Sequence, residues 1–185
     1  MRCFIAIELP PAVKSALGSL LEELKKSPAD IRWVNPNNIH LTLKFLGNVN
    51  EKNIPGVINI MDAACKQYQP LTLELKGLGI FPDINRPRIL WIGAEGNSVL
   101  KGLQRDIEYG MAKIGFERED RKFTAHLTLG RFRSLRGKED ILEKIKLRGN
   151  VSLGAINVSS ISLMKSDLSP EGSRYARIAE VFLSF

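Results

Sequence analysis

HLTLKFLG, residues 40–47, opens with a tetrapeptide that returns at residues 126–129 in HLTLGRF, and the two copies hold both histidines of the 185-residue chain. Apolar and polar residues alternate over each copy, the pattern of a half-buried strand. Side chains alternate faces along a strand, so His40 and Thr42 share one face and Leu41 and Leu43 the other. His126 and Thr128 stand in the same relation to Leu127 and Leu129. Leu-Thr-Leu is ordinary strand sequence, yet at average residue usage it follows a given histidine by chance on the order of once in a thousand times. Here it follows every histidine in the chain.

Outward from the first copy, CFIAIEL (3–9) reads as a strand, and Pro10-Pro11 opens a helix with Val13, Leu17, Leu20, Leu21 and Leu24 on one face. Residues 31–34 and 39–46 are apolar and partly alternating, so the first histidine lies on a strand. Asn50 is a candidate cap for a second helix carrying Ile54, Ile58, Met61, Cys65 and Tyr68, and LTLELKGLGIF (71–81) follows as a strand. The second copy has the same surroundings. RILWIGA (88–94) is a strand, Asn97 or Ser98 caps a helix with Leu100, Leu103, Ile107, Met111 and Ile114, and Gly115 ends it before the second His-strand. A short amphipathic helix at 138–147 and strand material to the C-terminus complete the chain. Each half thus reads strand, helix, His-strand, helix, strand, which predicts two similar lobes in one α+β domain. The domain spans 1–185, with sequence halves of roughly 1–85 and 86–185. The loops around 82–87, 133–138 and 167–174 are placed to edge a cleft.

No apolar run approaches the roughly 20 residues of a membrane-spanning helix, and the N-terminus lacks the apolar core and cleavage site of a secretory signal. A cytoplasmic location is expected, with no membrane association. Cys3 and Cys65 sit in apolar settings and do not make a disulfide framework. With 27 Lys and Arg against 20 Asp and Glu, the net charge of +7 attracts polyanions, nucleic acid among them.

If the lobes are related by a rough twofold axis, the two polar faces meet and present His, Thr, His and Thr together. Near neutral pH one imidazole can take a proton while the other gives one, and threonine hydroxyls can donate to non-bridging phosphate oxygens. The target such a set suits is a phosphodiester, attacked in line with no metal and no cofactor required. Zinc fits poorly, because neither motif places carboxylate or cysteine partners beside its histidine. A Ser-His-Asp or Cys-His hydrolase fits no better, since no nucleophile-elbow glycine pattern surrounds a serine.

Arg131 is the candidate phosphate clamp, although strict alternation puts it on the leucine face and a bulge or twist must re-aim it, so a plain solvated surface arginine is an equal alternative. Lys44 shares the His40 face and either adds positive charge or is a plain strand-end lysine. Arg86, Arg88, Arg133, Arg136, Arg174 and Arg177 are candidates for tracking an RNA backbone, with plain surface the default for each taken singly. Tyr175 and Phe45 are candidates for stacking a base, with core packing the default for Phe45.

Paired His-x-Thr-x motifs in a small basic chain resemble the two-histidine phosphoesterase superfamily, and within it the RNA 2′,3′-cyclic phosphodiesterase branch, historically called 2′-5′ RNA ligase. The similarity runs through RCFIAIELP, RWVNPNNIHLTLKFLG, RPRILWIG and FTAHLTLGRF. The resemblance implies an α+β, bilobal fold: two pseudo-twofold-related lobes, mainly antiparallel sheets flanking a central cleft, helices outside. It also implies metal-independent hydrolysis of a 2′,3′-cyclic phosphate at an RNA end, tRNA-derived ends included, to a 2′-phosphomonoester, with reversible 2′-5′ ligation. His40 would be the proton donor and His126 the proton acceptor, with Thr42, Thr128 and Arg131 binding phosphate. A monomer is expected. The rival readings are a phosphodiesterase on small cyclic or 2′-5′ linked nucleotides and a non-catalytic RNA-binding module.

Overall fold

The computed structural model describes residues 1–96, 98–169 and 172–184. Among the described residues nine strands form one curled antiparallel sheet: β1 Arg2–Ile7, β2 Ile31–Trp33, β3 Leu41–Asn48, β4 Leu71–Phe81, β5 Ile89–Gly96, β6 His126–Phe132, β7 Ser152–Val158, β8 Ser160–Ser169 and β9 Gly172–Phe182. The main order is β7-β4-β5-β6-β3-β1-β8-β9, with β2 added beside β6. The order is palindromic about the β6-β3 junction, where the two four-stranded halves meet at one paired position, Leu41 with Leu127. A pseudo-twofold axis therefore passes between the second residues of the two tetrapeptides. The lobes are not the sequence halves: β4 crosses to pair with β5 and β7, and β8 returns from the C-terminal half to pair with β1.

Four helices, α1 Pro11–Leu24, α2 Ile54–Cys65, α3 Ser98–Lys113 and α4 Lys138–Leu147, bury their apolar stripes against one side of the sheet. The stripe of α1 is the predicted one, with Val13, Leu17, Leu20, Leu21 and Leu24 all buried. Each such side chain contributes roughly 1.5–3 kcal/mol on leaving water. Asn50 caps a single 3-10 turn, its side chain accepting from the Lys52 N–H, and α2 starts later, with Pro55 in its first turn. Tyr68 lies beyond the end of α2, and its hydroxyl donates to Asp106 of α3 at 2.5 Å. In α3, Leu100, Leu103, Ile107 and Met111 are buried, whereas Ile114 falls past the helix end and is exposed. Ser98 begins α3; Asn97, the other candidate cap, lies outside the described residues. Both cysteines are free and buried, and burial pushes the Cys65 thiol up to about 12. Among the described residues no helix is long and apolar enough to cross a membrane.

The helix-covered face takes Cys3, Ile5 and Ile7 of β1, while Phe4 and Ala6 turn to the opposite, concave face and pack with Met164 and Tyr175. The concave face carries the polar residues of both tetrapeptides.

Candidate active site

His40 stands immediately before β3 and His126 is the first residue of β6. Continued by one residue each way from Leu41 and Leu127, the antiparallel register sets His40 against Thr128 and Thr42 against His126. Each histidine thus faces the other copy's threonine, and all four are half-buried. Diagonal neighbours on such a ladder have Cβ atoms about 7–8 Å apart, room for one phosphate between two imidazoles.

The two rings are held alike. His40 Nδ1 lies 2.8 Å from the Asn38 carbonyl and His126 Nδ1 lies 2.7 Å from the Thr124 carbonyl, in both cases the residue two positions upstream. A carbonyl only accepts, so Nδ1 carries a proton in each ring and Nε2 is the nitrogen left to exchange one. Asn38 is itself tied down, its side-chain amide donating to the Ser173 carbonyl of β9 at 2.8 Å. Aromatic rings complete each box. Phe4 stacks on His40 with centroids 4.6 Å apart, and Tyr175 meets it edge-on at 5.3 Å. Phe81 and Trp91 present edges to His126 at 5.0 and 6.3 Å.

These walls set the electrostatics. Burial lowers the proton affinity of His40 below the ordinary imidazole value; the Asn38 hydrogen bond opposes this, Lys14 adds to it and Glu8 opposes it. Burial likewise lowers His126; its hydrogen bond to Thr124 opposes the shift and Arg131 reinforces it. Burial also works against the Glu8 carboxylate, but the Ser162 hydroxyl and the Arg177 guanidinium hold its carboxyl below the usual range.

Both motif strands are bulged at the second leucine. Between β1 and β3, Ala6 pairs with Thr42 and Ile5 with Lys44, which leaves Leu43 as the extra residue. Between β5 and β6, Trp91 pairs with Thr128 and Leu90 with Gly130, which leaves Leu129 as the extra residue. A bulge shifts the alternation by one, so residues beyond it change faces. Arg131, paired with Ile89, therefore arrives on the concave face with Thr128 and Trp91, as the sequence required of a clamp. Gly130 fills the bulge because a Cβ there would come within 2.5 Å of Ile31 Cγ2.

The same shift overturns two expectations. Lys44 does not share the His40 face; it turns to the helix side, is 4% exposed, and pairs with Glu108 of α3 at 2.7 Å while donating to the Glu117 carbonyl at 2.8 Å. Phe45 is not a core residue: it pairs with Phe4 on the concave face and is 68% exposed. Arg177 is committed to Glu8 and Glu180 at 2.7 Å each, which removes it as a free backbone contact. Arg86, Arg88, Arg133 and Arg136 are exposed along the loops at the β6 end. Asn38, Glu8, Phe4, Phe81 and Trp91 escaped the sequence reading; for Asn38 and Thr124 the signal was their shared position two residues before each histidine.

A bilobal antiparallel fold with paired imidazoles across its dyad defines a class, and comparison with known proteins gives it a name. The family model for LigT like phosphoesterase matches residues 7–91 and again 92–175. The chain belongs to the LigT-like phosphoesterases of the two-histidine superfamily. It is 33% identical over 182 residues, 98% of either chain, to a Methanothermobacter thermautotrophicus protein named RNA 2′,3′-cyclic phosphodiesterase. A Methanocaldococcus jannaschii protein of the same name is 33% identical over 180 residues, covering 97% of this chain and 99% of the relative. A crystal structure from Thermus thermophilus matches with a TM-score of 0.84 at 26% identity, over 99% of this chain and 98% of that one.

Proposed function

We propose that this protein hydrolyses the 2′,3′-cyclic phosphate at an RNA 3′ end to a 2′-phosphomonoester, with no metal taking part. The observation that carries this reading is the dyad-related pair of imidazoles, each fixed through Nδ1 to a carbonyl and each set against the other copy's threonine. His126 Nε2 takes a proton from water as the water oxygen bonds to phosphorus. The P–O3′ bond breaks on the far side, and His40, as imidazolium, protonates the departing O3′. One proton enters His126 and one leaves His40, so the pair is restored through solvent. Thr42 and Thr128 donate to the non-bridging oxygens and Arg131 offsets their charge. Only His126 has Arg131 beside it, which favours its neutral form and the role of base. Phe45, exposed on the concave face, stacks the terminal base.

The names of the full-length relatives support RNA as the substrate class, and the positive charge of the chain suits a polyanion. The protein works as one bilobal domain and as a monomer, in the cytoplasm, with tRNA-derived ends among its substrates. An oligoribonucleotide ending in a cyclic phosphate, incubated with the protein in EDTA, tests this. Turnover is expected to persist, and His40→Ala or His126→Ala each to lower it about 10²- to 10⁴-fold. Loss of activity on chelation, or full activity in either variant, would contradict the reading.

A further inference from the structure

Beyond the histidines, β2 continues the ladder that β3 leaves. Along β6 the positions run Thr42 against His126, Leu41 against Leu127, His40 against Thr128, then bulged Leu129, Trp33 against Gly130, and Arg32 against Arg131. Directly paired residues of an antiparallel ladder share a face. Arg32 therefore stands with Arg131, Ile89 and Thr128 on the concave face, while Ile31 and Trp33 pack into the core. Two ladder steps, roughly 7 Å, separate the Arg32 and Arg131 pair from His40 and Thr128.

Like charges directly opposite each other on a sheet repel and cost stability. Here two exposed arginines are paired opposite each other on the ladder, and neither side chain has an ion pair or hydrogen bond to a described residue. Arg105, Arg121, Arg148 and Arg177 all have carboxylate partners. The carboxylate nearest in sequence, Asp30, accepts instead from the Ser134 hydroxyl at 2.7 Å. An arginine without a counter-ion beside the Arg131 clamp, two ladder steps from His40 and Thr128, matches a second phosphate in charge and geometry. An RNA end offers one such group there, the phosphodiester that joins the terminal nucleotide to the one before it.

We infer that Arg32 binds the phosphodiester one nucleotide upstream of the cyclic phosphate, next to Arg131 on the reacting phosphate, which makes the site selective for an oligoribonucleotide end over an isolated nucleoside cyclic phosphate. This rests on the hydrolysis proposed above. The test compares adenosine 2′,3′-cyclic phosphate with the ApA dinucleotide carrying the same cyclic end, in the unaltered protein and in Arg32→Gln. The ratio of kcat/KM, dinucleotide over mononucleotide, is expected to fall about 10- to 100-fold in the variant, mainly through KM. An unchanged ratio, or equal losses on both substrates, overturns the assignment. A second measurement needs no turnover: the salt dependence of binding a trinucleotide that ends in a 2′-phosphate. Arg32→Gln is expected to lower the log-log slope by about one; an unchanged slope overturns the assignment. Should the unaltered protein cleave neither cyclic substrate, the hydrolysis reading falls and the salt slope alone decides Arg32.

Discussion

Each histidine has one nitrogen committed to a carbonyl and one left for chemistry, and both rings are walled by aromatics that lower their proton affinity. In the free protein at pH 7 both are therefore mainly neutral, whereas the proposed mechanism needs His40 protonated and His126 not. The sign follows: because burial lowers both sites, the singly protonated form grows as pH falls below neutrality. kcat/KM is expected to trace a bell with its maximum on the acid side of neutrality. The bound anion stabilises imidazolium, so the limbs of kcat move to higher pH than those of kcat/KM. Arg131 lowers His126, so Arg131→Gln is expected to move the acid limb of kcat/KM upward. An unmoved limb, or a maximum near pH 8, would contradict this account of the pair. At this scale the histidines and threonines were legible, because type and spacing alone mark them. Their shared tether, a carbonyl two residues upstream, is backbone geometry and carries no residue-type signal.

The decisive feature of the strands is the bulge that follows each threonine. One extra residue leaves little mark on HLTLKFLG, since Leu43 is an apolar residue on the core side with or without the bulge. Strict alternation therefore misplaced Lys44 and Phe45, and left Arg131 on the wrong face until a bulge was allowed. Helix stripes were more faithful, because several leucines on one face outvote any one error, as in α1. The bulge predicts opposite behaviour for two adjacent residues. Lys44→Ala strands Glu108 in the interior and is expected to cost about 3–5 kcal/mol in denaturant unfolding. Phe45→Ala removes an exposed ring and is expected to leave the unfolding midpoint nearly unchanged while raising KM for RNA by roughly 5- to 100-fold. A large stability loss from Phe45→Ala, or none from Lys44→Ala, would mean that the register beyond Thr42 is wrong.

For the whole molecule, the repeated element order announced two related lobes, and the family model matches the chain as two consecutive units. The exchange of β4 into one lobe and of β8 and β9 into the other was not legible, because turn residues fix where a strand ends and not which neighbour it pairs with. The pseudo-dyad also has a chemical consequence. It equates Phe45 with Arg131, the residues re-aimed by the two bulges, so one end of the cleft is aromatic and the other cationic. In the proposed mechanism this asymmetry gives the acid-base pair a direction, and with it the bond that breaks. End-group analysis of the product tests this most directly: an RNA 2′,3′-cyclic phosphate should yield a 2′-phosphate beside a free 3′-hydroxyl, and a 3′-phosphate would contradict the account.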